Sequence, residues 1–253
     1  MAYHEGDNFI TRSLAYIGEI AMMLGQVLRY LARPSGAAEQ MASIGVNSLP
    51  IALVTISFAG MVLVLYTASE MKQRGLGPFV GGLVGLIMSR ELSPVLAGVV
   101  VAARAGSAIA AEIGSMKVTE QIDALRSLAT SPIQYLVVPR FIACVTMLPV
   151  VALFGFLAGA AGGYIVALPE GISRASYLDS MRQFMQFSDI YIGISKTAVF
   201  GGIIALVACH QGLNTSGGAT GVGQATTRSV VLCIVFIFVA DFLMTRLLVG
   251  TLQ

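Results

Sequence analysis

The sequence of 253 residues has no tryptophan, only two histidines and three cysteines, and only 11% charged residues. Soluble domains carry about 25% charged residues, so an ordinary soluble fold is excluded. The cysteines stand singly in apolar runs and the histidines are few, so we expect neither a disulfide framework nor a metal site. Net charge is +2, and basic residues do not cluster beside aromatics, which argues against nucleic-acid binding.

Hydrophobic residues, by contrast, make up 56% of the chain and gather into five long stretches. About 20 apolar residues are needed to cross about 30 Å of hydrocarbon. Because lipid cannot satisfy an open backbone, each stretch must be a helix. The predicted fold class is an all-α integral membrane protein, with 1–253 as a single domain. The five predicted transmembrane helices are 46–69, 78–103, 136–168, 190–210 and 229–250.

The N-terminal segment 9–33 has a different pattern. Apolar residues such as Leu14, Ile17 and Leu28 recur at helical spacing, and polar residues occupy another face. This pattern predicts an amphipathic helix in the membrane interface, with a weak sixth span as the alternative. The predicted polar face carries Arg12, Glu19, Gln26, Arg29 and Arg33.

The basic residues predict an orientation. With the N-terminus in the cytoplasm, eight of the fifteen Lys and Arg lie inside or at the inner boundary, four lie outside and three fall within spans. The positive-inside rule therefore favours a cytoplasmic N-terminus and an external C-terminus. Loop 169–189 is then external and should hold a short helix with Ser176 and Asp179 as its capping box. Loop 211–228 is internal, and its glycines predict a flexible connection.

Internal segment 112–129 carries the strongest local signal. From residue 118 onward Val118, Ile122 and Leu125 form an apolar stripe, while Glu120 and Asp123 make the remaining face acidic. An acidic helix suits an anionic inner leaflet poorly, so we expect it to dock into a groove on a partner protein.

Three runs in this part of the chain form a long motif: R-E-L-S-P-V-L at 90–96, A-A-R-A-G-S-A at 102–108 and A-E-I-G-S-M-K-V-T-E-Q-I-D-A-L at 111–125. The motif resembles the signature of the MlaE-type permeases, the membrane subunits of ABC systems that move lipids together with MCE proteins. The resemblance covers about 30–253 and also includes A-T-T-R-S-V-V at 225–231 and A-D-F-L-M-T at 240–245.

The resemblance implies a phospholipid permease of the bacterial inner membrane, with a periplasmic C-terminus and a role in outer-membrane lipid asymmetry. It implies a homodimer, a cytoplasmic ABC ATPase, an external MCE hexamer and, in some systems, a small STAS-domain protein. No P-loop motif occurs here, so ATP and Mg are expected in the ATPase and no cofactor in this chain. The implied ATPase-coupling residues are Glu112, Met116, Val118, Glu120, Gln121, Ile122, Asp123 and Leu125; the implied lipid-cavity residues are Leu63, Tyr66, Met71 and Glu91.

Four charged residues fall inside predicted spans: Arg90, Glu91, Lys196 and Asp241. Such charges face a bundle interior, a partner or a wet cavity. Lys196 and Asp241 are expected at similar depths on neighbouring helices, so we predict that they pair. The same charges support the alternative function, a secondary transporter or channel.

An intramembrane enzyme with a dyad of Ser195 and His210 is a third class. The two residues lie fifteen positions apart on one predicted helix, about 22 Å by helical rise, which argues against it. The sequence therefore predicts a transport subunit and no catalytic residue.

Overall fold

A computed structural model describes residues 9–31 and 36–251, which are largely helical and contain no strand. Arg33, which belongs to the predicted N-terminal helix 9–33, lies outside the described residues. The α-helices are α1 Phe9–Tyr30, α2 Ala37–Ile44, α3 Leu49–Gln73, α4 Val80–Ile87, α5 Ser93–Val101, α6 Ser107–Val118, α7 Gln121–Ser127, α8 Val138–Ala167, α9 Arg174–Phe184, α10 Phe187–Leu213 and α11 Gly218–Thr251.

Five helical stretches within the described residues are long and apolar enough to cross a membrane, which confirms the predicted fold class. They are longer than the predicted spans because polar helical turns extend them at one or both ends: Ala37–Gln73, Gly77–Val118, Ile133–Ala167, Phe187–Leu213 and Gly218–Leu248. Two predicted boundaries are therefore wrong. The second span continues beyond its predicted end at residue 103 as far as Val118. The flexible loop 211–228 shrinks to a short connection because α11 begins at Gly218.

The stretches alternate in direction, which gives the bundle two ends. One end carries α7, between the second and third spans, and is called the α7 end. The opposite end carries α9, between the third and fourth spans, and is called the α9 end.

The second span is a single helix with irregular turns. It contains π-helical segments at Met88–Leu92 and Ala102–Gly106, on either side of α5. Pro94 follows the first segment and cannot donate a backbone hydrogen bond to the residue four positions earlier, Arg90. The helix is therefore locally widened just before Pro94.

Glycines bring α3 and α8 into close contact. A Cβ at Gly60 would collide with the backbone of Gly159, and a Cβ at Gly163 would lie 2.8 Å from the Val64 side chain. Gly159 and Gly163 stand four residues apart on α8, and small residues at this spacing let helices in lipid gain dispersion energy by close approach. The small-residue spacing of α8 thus serves packing within one chain.

Helix α9 lies against α4 at a second glycine surface. A Cβ at Gly81 would collide with the backbone oxygen of Tyr177, and Gly82 N–H donates to Ser180 Oγ at 3.1 Å. The short helix predicted within 169–189 is present, but its predicted cap is wrong. The N-cap is Ser173, whose side chain accepts from Ser176 N–H, because the helix begins three residues earlier than the predicted cap at Ser176 implies.

Helix α1 contacts the bundle through a different face from the one predicted to be polar. Met23 and Val27 are buried, whereas Leu14, Ile17 and Leu28 stay exposed and suit contact with lipid. Glu19, assigned to the polar face, instead lies 2.8 Å from His210 Nε2 at the end of α10. The predicted polar face is wrong for Glu19 because the helix has two separate contact faces, one towards lipid and one towards the protein. The periodicity of apolar residues indicates only the face towards lipid.

Candidate functional site

The charged residues of the spans meet around one fully buried lysine, Lys196 of α10. Its Nζ lies 2.8 Å from Glu91 Oε1 and 2.9 Å from Asp241 Oδ1. The predicted pair with Asp241 is confirmed, and Glu91 is a second partner that the sequence did not indicate. Thr245 of α11 donates to the same Glu91 oxygen at 3.3 Å.

Lys196 also provides a hydrogen bond to the irregular turn of the second span. Its Nζ donates to the backbone oxygen of Arg90 at 3.1 Å, the carbonyl that Pro94 cannot serve. A side chain from another helix thus supplies a partner where the proline removes one. The break near Pro94 and the buried lysine of α10 belong to one arrangement.

The neighbouring charge, Arg90, pairs with Asp189. Arg90 Nε lies 2.7 Å from Asp189 Oδ1, and Nη2 contacts the same oxygen. Asp189 is fully buried and also accepts from Gln186 N–H at 2.7 Å, which caps α10. The sequence pattern did not indicate Asp189, because this residue stands one position before the predicted start of the fourth span. A capping carboxylate in the first turn was the available signal.

The five side chains Arg90, Glu91, Asp189, Lys196 and Asp241 are called the charge cluster from here on. It holds two positive and three negative side chains, so its formal net charge is −1 when all are ionised. The side chain of Glu91 is 40% exposed at the surface of the chain, whereas Lys196 is fully enclosed. Glu91 is therefore the carboxylate with room for a further contact.

Segment 112–129, called the coupling segment from here on, differs from its predicted form. Val118 ends α6, Glu120 takes a left-handed backbone conformation with φ of 62°, and the separate helix α7 covers only Gln121–Ser127. The predicted continuous helix from 118 to 129 is therefore wrong. The chain turns sharply at Glu120.

The apolar stripe of the coupling segment packs on the chain itself. Ile122 is fully buried, and Val118 and Leu125 are half-buried, so the stripe faces the rest of the chain more than it faces outward. Glu120, Gln121 and Asp123 remain exposed.

Asp123 is tied into the segment by two basic side chains. It lies 3.0 Å from Lys117 Nζ and 3.1 Å from Arg126 Nη1. The hydrogen bond from Lys117 holds the pKa of the Asp123 carboxyl below its usual range. A partner would therefore meet a carboxylate whose charge is already partly balanced.

Two further predicted coupling residues, Glu112 and Met116, lie on α6 and line a cavity at the α7 end. Glu112 Oε1 lies 2.9 Å from Nη2 of Arg140, a buried residue of α8. These two residues thus belong to a wall of the bundle next to α7.

The predicted lipid-cavity residues lie on two elements. Leu63, Tyr66 and Met71 follow one another along α3 towards the α9 end, and Tyr66 is 76% exposed. Glu91 belongs to the π-helical segment of the second span and turns to Lys196. By helical rise Glu91 lies about 21 Å from Gly77, and Leu63 about 15 Å from Gln73, so Glu91 lies about one helical turn deeper than Leu63. In the described part of the chain no ion pair joins Glu91 to the three α3 residues.

Ser195 and His210 are far apart along α10, as expected. The Ser195 hydroxyl donates to the Tyr191 backbone oxygen at 2.8 Å. His210 Nε2 instead contacts the Glu19 carboxylate of α1. Within the described residues no group of three or more His, Cys, Asp and Glu could hold a metal ion.

Together the five apolar helices of membrane-crossing length and the buried charge cluster that joins them are those of a multi-pass membrane protein. The description "Permease MlaE" matches residues 37–247, and the chain belongs to this permease family.

Relatives support the assignment over most of their length. The chain is 46% identical over 211 residues to a probable ABC transporter permease protein of Synechocystis, covering 83% of this chain and 80% of the relative. It is 42% identical over 210 residues to a probable ABC transporter permease protein of Rickettsia typhi, covering 83% and 81%. It is 42% identical over 208 residues to the chloroplastic protein TRIGALACTOSYLDIACYLGLYCEROL 1 of Arabidopsis thaliana, covering 82% and 59%.

Proposed function

We propose that this chain is the permease subunit of an ABC system that moves phospholipid between membranes, with two copies forming the pathway. The match to the permease family over residues 37–247 carries the proposal. The family implies an ABC ATPase partner, which would bind ATP and Mg. The relative from Arabidopsis thaliana carries the name of a lipid, trigalactosyldiacylglycerol, which supports a lipid as the cargo.

The proposed setting is the bacterial inner membrane, with the α7 end in the cytoplasm and the α9 end outside. The excess of basic residues at the α7 end supports this orientation. An external MCE hexamer would then meet the α9 end, and a small STAS-domain protein could join the cytoplasmic side. The ATPase would contact the exposed residues Glu120, Gln121 and Asp123.

The proposed lipid cavity lies between the two copies, beside Leu63, Tyr66 and Met71 of α3 and near Glu91. The exposed apolar side chains of α3 and the exposed part of Glu91 support this location. The charge cluster also accounts for the intramembrane charges by mutual pairing, so an ion-driven transporter or channel is not needed to explain them.

Reconstitution with the cognate ATPase tests the function. We expect ATP-dependent transfer of a fluorescent phospholipid between vesicles, which should stop when the ATPase carries a substitution in its P-loop lysine. Transfer that follows an ion gradient and ignores ATP would overturn the proposal.

The coupling surface is tested by Glu120→Lys. Glu120 is exposed and has no salt bridge in the described residues, whereas reversing Asp123 would also break its pairs with Lys117 and Arg126. We expect Glu120→Lys to weaken ATPase binding while the permease stays folded. Glu70→Lys is the control: it reverses an exposed glutamate at the α9 end and breaks only a pair with Arg74 in which both side chains are well exposed. Equal ATPase binding by both variants would remove Glu120 from the contact.

A further inference from the structure

An open cavity of about 440 Å³ lies at the α7 end between α2, α6 and the start of the third span. It is larger than a basic side chain requires, and both charged and aromatic groups line it. Glu39 and Gln40 come from α2, Glu112 from α6, and Tyr135 and Arg140 from the start of the third span.

The charges of the cavity favour a cation. Arg140 is 5% exposed and its charge is taken by Glu112, whereas the Glu112 side chain remains 56% exposed. Glu39 is exposed and adds a second carboxylate, so the lining carries a net charge of −1. The exposed ring of Tyr135 adds a surface on which a guanidinium or ammonium group binds well.

Arg140 is held in the cavity wall from behind. Its Nη1 donates to the Leu136 backbone oxygen, and its Nε is enclosed behind the wall without a hydrogen-bond partner among the described residues. An occupant therefore meets the exposed carboxylates and the Tyr135 ring, and not the Arg140 Nε. A protein loop that carries a cationic side chain fits this lining.

The depth of the cavity distinguishes a protein from a lipid headgroup. Gly45, at the junction of α2 and α3, packs against Met147, and Arg104 donates to Ser43 O and Ser48 Oγ at the same level. The apolar run of α3 starts there, so this junction marks the edge of the hydrocarbon. Arg140 lies seven residues beyond Met147 and Glu112 eight beyond Arg104, about 10–12 Å further out by helical rise. The headgroup layer is only about 5–7 Å thick, so the cavity opens beyond it.

We propose that this cavity is a second docking point for the cytoplasmic ATPase, which inserts a loop carrying a lysine or arginine side chain. The inference rests on the proposed function and adds a named contact to it. Glu112 and Met116 lie in the last two turns of α6, which ends at Val118 just before the turn at Glu120, so the cavity lies next to the exposed surface of α7. The ATPase would thus hold the second and third spans at two points instead of one.

Affinity measurements with purified permease and ATPase test the docking point. Glu39→Lys should weaken binding about tenfold or more, because it places a like charge against the inserted cation. Glu39→Gln should weaken it less and reduce its salt dependence. Glu70→Lys, at the opposite end, should bind as the unchanged protein does.

A photoreactive residue at Gln40 provides an independent measurement of contact. It should capture the ATPase, whereas the same residue at the exposed Ser69 of the α9 end should not. Capture of lipid alone at Gln40, or equal affinity of Glu39→Lys and Glu70→Lys, would overturn the docking point and leave the proposed function standing. Failure of the unchanged permease to bind any ATPase would overturn the proposed function itself.

Discussion

At the scale of single residues, Lys196 and Asp189 connect helices that are distant in sequence. Lys196 joins the second, fourth and fifth spans through Glu91, the Arg90 carbonyl and Asp241. Asp189 joins the cap of α10 to Arg90. Buried charges that lose one partner are strongly destabilising, so the consequences of substitution depend on how many partners remain.

Substitutions at Lys196 and Asp241 should not be equivalent. Lys196→Met leaves two carboxylates without a cation, whereas Asp241→Leu leaves Lys196 paired with Glu91. We expect a loss of about 3–5 kcal/mol for the first and a smaller loss for the second. The double variant should recover only in part, and adding Glu91→Gln should restore more, as measured by folded protein in detergent. Full recovery in the double variant would show that Glu91 is not a working partner.

Asp189→Asn tests the cap and the ion pair together. The amide cannot neutralise Arg90 and caps α10 less well, so we expect folded abundance to fall several-fold. Asp179→Asn, at an exposed position of α9, is the matched control and should change little. Similar abundance for both variants would mean that the Arg90 contact contributes little to the fold.

At the scale of elements, the sequence predicted the five spans and α9, because long apolar runs and helical periodicity carry that information. It did not predict where polar turns extend a helix beyond the bilayer, since helix propensity there competes with loop signals such as the glycines of 217–223. Nor did it predict Asp189 or the second partner of Lys196. Those contacts join residues about 100 positions apart, and no local pattern records them.

The contact between α3 and α8 can be tested at one glycine. Gly60→Ala would push a methyl group into the backbone of Gly159, which cannot move without shifting α8. We expect a loss of about 1–3 kcal/mol and a lower Tm. Gly223→Ala in α11 has open space around it and should be neutral or slightly stabilising. A lower Tm for both would point to a general effect of helix substitution instead of packing.

At the scale of the whole molecule, the exposed surfaces of the chain indicate where a second copy and a lipid would lie. Helix α11 is little buried within one chain, and α3 exposes a continuous apolar stripe that includes Phe58 and Val62. A protein that works alone in lipid has no need for an exposed carboxylate such as Glu91 at mid-depth. The proposed dimer would enclose that carboxylate.

Photocrosslinking tests the position of the lipid in the assembled transporter. A photoreactive residue at Leu63 or Met71 should capture phospholipid that cannot be displaced by the surrounding detergent or bulk lipid. The same residue at Leu157, an exposed position of α8, should show only displaceable labelling. Stronger specific capture at Leu157 than on α3 would place the pathway elsewhere.

The long sequence separation of the ion pairs has a consequence for biosynthesis. Arg90 and Glu91 enter the membrane when α10 has not yet been made, since their partners follow 99 and 105 residues later. Each unpaired charge costs about 2.5–3.5 kcal/mol on insertion scales, so the nascent second span is held only weakly until translation reaches α10. A chain that stops at Met185 should therefore leave the second span partly outside the bilayer, and cysteine labelling near Arg90 would measure the fraction. Arg90 and Glu91 therefore gain their ion-pair partners late, after α10 and α11 have left the ribosome.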